Sequence, residues 1–385
     1  MCRRRQRLLR MNRALLALGL IGVTICPFPA FALEREHPVE EMSEDAQAAT
    51  KSRKKADLLI VPIPQSSPTL GSGLTLAAVL FYNPNQSKDP WISGAGAMYT
   101  SNKSWGVAAF HSMALSKDRF KVLAMAGYAD INVNFYGIGP NAGERGVSVD
   151  IEDRGALAVV QGQMRVVKNL HAGARYEFLD LRSRINNPNP VFPDLNISDA
   201  ELRSRLSGIG PVITYDTRDS SLNPRKGIYA TAVAMFNRKK LGSDFSHDKL
   251  QLAGNAYVPF GDTTVLAMRG SMCGVSTEGP FYDLCLYGQS SDLRGYETGR
   301  FRDRASWAAQ AEVRQQLWGR FGLVFFGGVG GIAPKLGDLG DTKFLPSVGT
   351  GLRYQASKST KINLRLDVAI GKNSNALYFG IGEAF

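Results

Sequence analysis

The stretch KINLRLDVAIG, Lys361 to Gly371, alternates apolar and polar side chains with the two-residue period of a β-strand. The segments AAQAEVRQQL and LHAGARYEF repeat the pattern, each with one apolar face and one face that carries charges of both signs. Arg365 and Asp367 lie on the polar face of KINLRLDVAIG, and Glu312 and Arg314 lie on the polar face of AAQAEVRQQL. The pattern predicts strands whose two faces meet different environments.

Sixteen such segments, separated by turn residues, follow one another from Ala56 to Phe385. A soluble β-sandwich would also alternate, but its polar faces would face water. A tilted strand of about 9–11 residues spans a bilayer, and closure into a barrel leaves no unpaired edge in lipid. We therefore predict an all-β, transmembrane antiparallel β-barrel of sixteen strands, which start near residues 57, 70, 91, 103, 119, 145, 168, 201, 226, 246, 261, 304, 320, 346, 360 and 376.

The N-terminal residues are typical of an export signal. Six arginines precede the apolar run ALLALGLIGVTI, and AFA ends at Ala32. The apolar run is shorter than the ~20 residues of a membrane-spanning helix. We predict a signal peptide over 1–32, a flexible periplasmic arm over 33–55 and an outer-membrane β-barrel over 56–385, with a twin-arginine signal as the alternative for the export route. Trp91, Trp105, Trp307 and Trp318 lie near segment ends, as in an aromatic girdle.

Charge and motif content exclude several function classes. Without the six arginines of residues 1–32, 40 basic residues oppose 34 acidic ones, so the net charge falls from +12 to +6. That balance does not favour a nucleic-acid partner. The sequence lacks a G-x-S-x-G elbow, an H-E-x-x-H pair and calcium-loop aspartates, so we expect no enzyme activity, no cofactor and no metal. Cys273 and Cys285 are candidates for a disulfide, although their spacing alone leaves the pairing open.

Three stretches resemble the BamA/TamA family of outer-membrane barrels, also called the bacterial surface antigen superfamily. GPVITYDTRDSSLNPRKGIYATAVAMF, from Gly210 to Phe236, resembles the family's YDTRD block between two strands. DLRGYETGRFRD, from Asp292 to Asp303, resembles its inward-folded loop, here between strands 11 and 12. The C-terminal LYFGIGEAF resembles its last strand, which ends on an aromatic residue, although Glu383 breaks the alternation.

The resemblance implies a latch in the Arg-Gly-Tyr loop, formed by Arg294, Gly295 and Tyr296. Arg294 would offer its guanidinium to Glu312, which the alternation independently places on the lumenal face. The family's second acceptor is an aspartate at the position of Gly328, so we expect Asp367 to substitute. The alternative is a solvated external loop, since charged runs are usually exposed.

The YDTRD block has two interpretations: a structural turn at the barrel rim, which we favour, and a direct role in handling substrate. Asp216 and Arg218 are expected on one strand face, with Asp219 capping the turn into Pro224. The residues assigned to this rim motif are Tyr215, Asp216, Arg218, Asp219, Pro224 and Gly227.

The resemblance also implies a function at the bacterial cell outer membrane, in handling or assembling membrane proteins or lipids. About 24 residues separate the cleavage site from the first strand, too few for the family's POTRA domains, so we expect a POTRA-less member. The expected partners are outer-membrane lipid or lipopolysaccharide and the barrel assembly machinery, with a periplasmic partner or a homo-oligomer as further candidates. The alternative is a porin-like passive channel, favoured by the lumenal charges Arg353, Arg365 and Asp367.

Overall fold

The computed structural model describes residues 56–82, 84, 91–186, 197–220, 223–355 and 363–385. The predicted signal peptide over 1–32 and the arm over 33–55 lie outside these residues. None of the helices in the described segments is long and apolar enough to cross a membrane.

Strands make up most of the described chain. The helices are α1 (Pro140–Arg145) and α2 (Asp199–Leu202), and single 3-10 turns cover Lys239–Leu241, Phe281–Asp283 and Leu336–Asp341. The strands are β1 (Ala56–Ser67), β2 (Gly71–Tyr82), β3 (Trp91–Thr100), β4 (Trp105–Leu115), β5 (Phe120–Phe135), β6 (Val149–Val167), β7 (Leu170–Ile185), β8 (Arg203–Asp216), β9 (Gly227–Asn237), β10 (His247–Phe260), β11 (Thr264–Val275), β12 (Cys285–Leu286), β13 (Arg302–Asp303), β14 (Ala305–Gln316), β15 (Phe321–Ala333), β16 (Ser347–Gln355), β17 (Asn363–Gly371) and β18 (Ser374–Ile381).

Sixteen strands form a closed antiparallel barrel in which each strand pairs with its neighbours in the chain. The exceptions are that β1 pairs with β18 where the barrel closes, and that β11 pairs with β14 because β12 and β13 form a separate two-stranded ladder within the connecting segment. The predicted fold class and strand count are confirmed. The largest displacement of a strand start is at β6, which begins at Val149 and not near residue 145, because α1 occupies the preceding residues.

The two faces of the barrel wall differ as the alternation predicts. On β17, Leu366, Val368 and Ile370 are exposed on the outside, whereas Arg365 and Asp367 are buried on the inside. An apolar outer face suits lipid, and the buried inner face holds the charged side chains against one another. The charged side chains that could carry a function therefore lie in the lumen of this barrel.

The two ends of the barrel have connections of different length. At one end, which we call the turn end, short connections such as 168–169, 261–263 and 317–320 join the strands. At the other, the loop end, lie the longer segments 136–148 and 276–304. Short periplasmic turns and longer external loops are the rule in such barrels, so the turn end corresponds to the periplasmic side. The tryptophans divide evenly: Trp91 and Trp318 lie at the turn end, and Trp105 and Trp307 at the loop end.

The C-terminus departs from the predicted terminal strand. Pairing ends at Ile381, and Gly382 turns the chain with a φ of +82°. Phe385 is buried against Tyr257 and Val265, and its carbonyl oxygen accepts a hydrogen bond of 2.6 Å from Arg314. The apparent break in alternation thus marks the point where the chain leaves the wall.

Candidate functional site

The segment between β11 and β14, residues 276–304, is here called the inner loop. Its Arg-Gly-Tyr tip is fully buried, since Leu293, Arg294 and Tyr296 have no exposed surface. Gly295 and Gly299 have φ angles of +116° and +81°, which residues with a Cβ rarely adopt. These two glycines let the loop fold back on itself while its charged side chains reach the inner face of the wall.

Arg294 is held by two carboxylates from different strands. Its Nη2 forms an ion pair with Glu312 on β14, and its Nη1 lies 2.7 Å from Asp367 Oδ2 on β17. Nε donates to Gln310 at 3.2 Å, and the guanidinium carbon lies 3.5 Å from the centroid of the Phe326 ring. All three guanidinium nitrogens and one face of the group therefore have partners, as burial of an arginine requires.

Gly328 makes room for the loop, and the lack of a carboxylate at this position does not leave Arg294 without a second acceptor. A Cβ at this position would lie 2.4 Å from Leu293 Cδ1 and 2.5 Å from the carbonyl oxygen of Ala309. A larger residue would thus displace the tip residue next to Arg294. Asp367 occupies the second-acceptor role that the resemblance assigned to the position of Gly328.

The ion pair of Arg294 belongs to a larger lumenal network. Arg314 contacts Glu312, and Arg353 contacts both Asp367 and Glu383, the latter at 2.7 Å. Arg365, a further predicted lumenal charge, is buried and pairs by register with Arg353 on the neighbouring strand. The ion pairs of Arg294, Arg314 and Arg353 with three carboxylates offset one another's charges in a region shielded from water.

Tyr296 anchors the loop tip by packing and by its hydroxyl group. Its ring meets Tyr287 and Phe301 edge-on, with centroids 5.4 and 5.7 Å away. The hydroxyl donates to Pro346 O at 2.6 Å and accepts from Lys372 N at 2.9 Å. The tip is thereby fixed to the segments that flank β16 and β17.

The barrel closes between β1 and β18, and this junction is called the seam. Among the described residues, β1 and β18 share a single registered pair, Ser66 with Phe379, whereas β1 and β2 pair along all of β1 from Ala56 to Ser67. The unmatched lengths of β1 and β18 leave backbone donors and acceptors without the ladder partners that the other strands have.

Two prolines explain part of this weak pairing. Pro62 and Pro64 pair by register with Leu76 and Leu74 in the uninterrupted ladder to β2. Such a ladder needs alternate residues of β1 to donate an N–H to β2, and proline has none. Both prolines must therefore occupy the positions whose backbone groups point towards β18, where they remove two donors from the seam.

The inner loop is hydrogen-bonded on both sides of the seam. The N–H of Gly295 donates to Tyr378 Oη on β18 at 3.0 Å. The N–H of Thr298 donates to Oγ1 of Thr69, in the turn between β1 and β2, also at 3.0 Å. The loop thus connects two strands that scarcely pair with each other.

Three acidic residues of the inner loop, Asp283, Glu297 and Asp303, have shifted pKa values, and burial raises the pKa of Asp303. Burial raises the pKa of Glu297, although hydrogen bonds from Tyr136 and Asn134 act in the opposite direction. Burial by itself would also raise the pKa of Asp283, but the charge of Lys249, 2.7 Å away, and a hydrogen bond with His247 outweigh it and hold the pKa at about 2.

A disulfide joins Cys273 at the end of β11 to Cys285 in β12. It ties the start of the inner loop to the barrel wall 12 residues away in sequence. The tether restricts the loop at its base, whereas the Arg294 contacts hold its tip.

The rim motif lies at the turn end, in the connection between β8 and β9. Tyr215 is partly exposed on the outer face. Arg218 lies beyond the end of β8 and not on a strand face with Asp216, yet its guanidinium returns to Asp216 at 2.9 Å. It also stacks over the ring of Tyr229 at 4.2 Å. This geometry favours a structural turn.

The rest of the rim motif supports that turn. Asp219 Oδ1 accepts from the N–H groups of Arg225 and Lys226 at 2.9 and 3.2 Å, and Pro224 is buried. Gly227 has a φ of +111°, and a Cβ there would lie 2.4 Å from Thr217 O. These contacts hold the connection between β8 and β9 in a compact turn.

Comparisons with known proteins agree with this geometry. A family model described as the Omp85 superfamily domain matches residues 67–385. The structure is similar to BamA from Haemophilus ducreyi lacking POTRA domains 1–3, with a TM-score of 0.58 and 15% identity over 86% of this chain and 71% of that chain.

Two further solved structures share the fold. CdiB from Escherichia coli has a TM-score of 0.58 and 10% identity over 93% of this chain and 74% of that one. CdiB from Acinetobacter baumannii has a TM-score of 0.57 and 12% identity over 85% of this chain, which spans 60% of that protein's length. No curated protein matches the chain by sequence. The family match covers most of the chain, and so this outer-membrane β-barrel belongs to the Omp85 superfamily.

Proposed function

We propose that this barrel handles outer-membrane proteins or lipids at its seam, and that the inner loop is a latch that keeps the seam closed at the loop end. The observation that carries the proposal is the pairing between β1 and β18, which is limited to Ser66 and Phe379. Every other junction in the barrel has at least seven registered pairs, the fewest being between β8 and β9.

The chemistry of the seam suits a protein client. Unpaired strand edges accept an additional strand through main-chain hydrogen bonds, which need no particular client sequence. Pro62 and Pro64 lower the stability of the closed form without disturbing the ladder to β2. A client strand that offers donors and acceptors at other positions would compete with β18 for this edge.

The latch follows from the bonds of the inner loop to both sides of the seam. The loop holds Tyr378 on β18 and Thr69 beside β1, while Arg294 fixes the tip to Glu312 and Asp367. Release of the tip would remove its hydrogen bond to Tyr378 on the β18 side of the seam. The same loop obstructs the lumen, which argues against an open, porin-like channel.

A crosslink across the seam tests the proposal. Ser66→Cys/Phe379→Cys would join the two outward-facing residues of the registered pair. Proteoliposomes with the unlinked barrel should speed the folding of a urea-unfolded eight-stranded outer-membrane barrel, followed by its heat-modifiable gel migration. Oxidation of the pair should bring the rate down to that of protein-free liposomes, because the edges can no longer separate.

The matched control is Val368→Cys/Leu377→Cys, which links outward-facing residues of β17 and β18 at a junction with eight registered pairs. This link should leave the folding rate of the client unchanged. Adding reductant to the linked control also shows how reduction of the native Cys273–Cys285 disulfide by itself affects that rate. A seam-linked barrel that works as fast as the control would overturn the proposal, as would an unlinked barrel with no effect on folding.

A further inference from the structure

We propose that the outer face of β6, β7 and β8, near the loop end, binds the phosphorylated headgroup of an outer-leaflet glycolipid of the lipid A type. The proposal does not depend on the seam or on the inner loop. It rests on a row of arginines, on their missing partners and on their height relative to the apolar band.

Three arginines lie directly opposite one another on adjacent strands. Arg154 on β6 pairs by register with Arg182 on β7, and Arg182 pairs with Arg203 on β8. All three are exposed on the outer face. Neighbouring strands lie about 4.7–4.9 Å apart, so the three guanidinium groups share one small area of the surface.

This row is unfavourable without an anion. Like charges placed directly opposite each other on a sheet face destabilise it. Arg154 is compensated by Asp130 at 2.6 Å and by Glu152 at 2.8 Å. Within the described segments of the barrel, neither Arg182 nor Arg203 forms an ion pair with a carboxylate. Among the described residues, two guanidinium groups are therefore without a carboxylate partner and can accept an added anion.

The acidic residues of the adjacent rows do not fill this gap. In the row nearer the loops, Glu152 faces Arg184, and in the row nearer the membrane centre, Asp180 faces Arg205. Each of these carboxylates already has an arginine opposite it. The central row is thus the part of the face with excess positive charge.

The height of the row matches that of lipid headgroups. Towards the turn end, the same outer face becomes apolar, with Tyr176 and Phe178 on β7 and Ile209 and Ile213 on β8. Phe178 and Arg182 are four residues apart, or about 13 Å at ~3.3 Å per residue. The hydrocarbon boundary therefore lies below the arginines and beyond the intervening row of Asp180 and Arg205, on the side of the membrane that the loop end faces.

An occupant must satisfy both parts of this surface. Guanidinium groups bind phosphate through charge-assisted, bidentate hydrogen bonds, and the apolar wall below accommodates acyl chains. A phosphorylated, acylated lipid combines the two, whereas a free phosphate would use only the arginines. This commits the site to a lipid.

The test compares wild type with Arg182→Gln/Arg203→Gln. Binding of purified hexa-acyl lipid A to the folded, detergent-solubilised barrel is measured by native mass spectrometry over a concentration series. Since each arginine near an anionic lipid surface contributes about 1 kcal/mol, the double variant should bind about thirtyfold more weakly. Arg182→Lys/Arg203→Lys keeps the charge but loses the bidentate geometry, so its affinity should fall between those of wild type and the glutamine variant.

The matched control removes two exposed charges at the turn end, Lys117→Gln/Lys226→Gln, and should bind as wild type does. Dephosphorylated lipid A should bind wild type as weakly as intact lipid A binds the arginine variant. Without lipid, the arginine variant should melt no lower than wild type, because it loses only repulsion. Equal binding by the arginine variant and wild type would overturn the proposal, and so would equal binding of the dephosphorylated lipid.

Discussion

Replacing Arg294 by alanine is expected to lower the free energy of unfolding by about 3–5 kcal/mol, the usual cost of removing one partner from a buried ion pair. Glu312 and Asp367 are both fully buried and would lose a charged partner. Arg314 and Arg353 remain beside them, so the rest of the network limits the damage. The ring of Phe326 would lose its contact with the guanidinium as well.

A urea titration of the detergent-solubilised barrel, followed by tryptophan fluorescence, measures this change. Arg300→Ala is the matched control, since this arginine lies on the same loop but forms no ion pair with a carboxylate among the described residues. It donates to the carbonyl oxygens of Gly143 and Asn373 and lies near the rings of Tyr136 and Phe301. The control should lose far less stability. Equal unfolding midpoints for Arg294→Ala and wild type would refute the role of this arginine as the anchor of the loop tip.

Truncating Tyr296 to alanine is expected to have a similarly large effect, about 3–5 kcal/mol, because it leaves a cavity in the place of a buried aromatic ring. The ring contacts Tyr287 and Phe301 and packs directly against Gly371, which has no side chain to fill the space. The adjacent Arg294 would lose its fixed backbone position as well.

Tyr296→Phe separates the ring from its hydroxyl group. This variant keeps the packing and loses the bonds to Pro346 and Lys372, so it should cost about 1–3 kcal/mol, the range for buried polar groups left unsatisfied. Limited proteolysis of the inner loop should follow the same order, fastest for the alanine variant. If the alanine and phenylalanine variants unfold at the same urea concentration, packing of the ring does not hold the tip.

Strand positions and faces were predictable from sequence because both depend on local alternation. Leu366 and Asp367 fall on opposite faces in any strand that contains them, and the outer or inner side follows from their polarity. The same rule put Glu312 in the lumen. The short helix α1 was missed, since six residues with a proline and a glycine carry no helical period.

The contacts of the inner loop were not predictable from alternation, because they join residues far apart in sequence. The pairing of Arg294 with Asp367 spans 73 residues, and it was expected only through a resemblance to known barrels. The turn at Gly382 was missed, although Glu383, which breaks the alternation of the last strand, marks it in the sequence. One available signal was overlooked, since Pro62 and Pro64 within a strand mark an edge.

Single-channel conductance in planar bilayers tests the central claim, that the inner loop obstructs the lumen and is held there by Arg294. The account predicts a wild-type barrel that is mostly closed with rare, brief openings, and an Arg294→Ala barrel with frequent and larger ones. Large, steady openings in the wild type would contradict the claim and favour a passive channel. Identical, closed records for both proteins would show that Arg294 does not hold the loop in place.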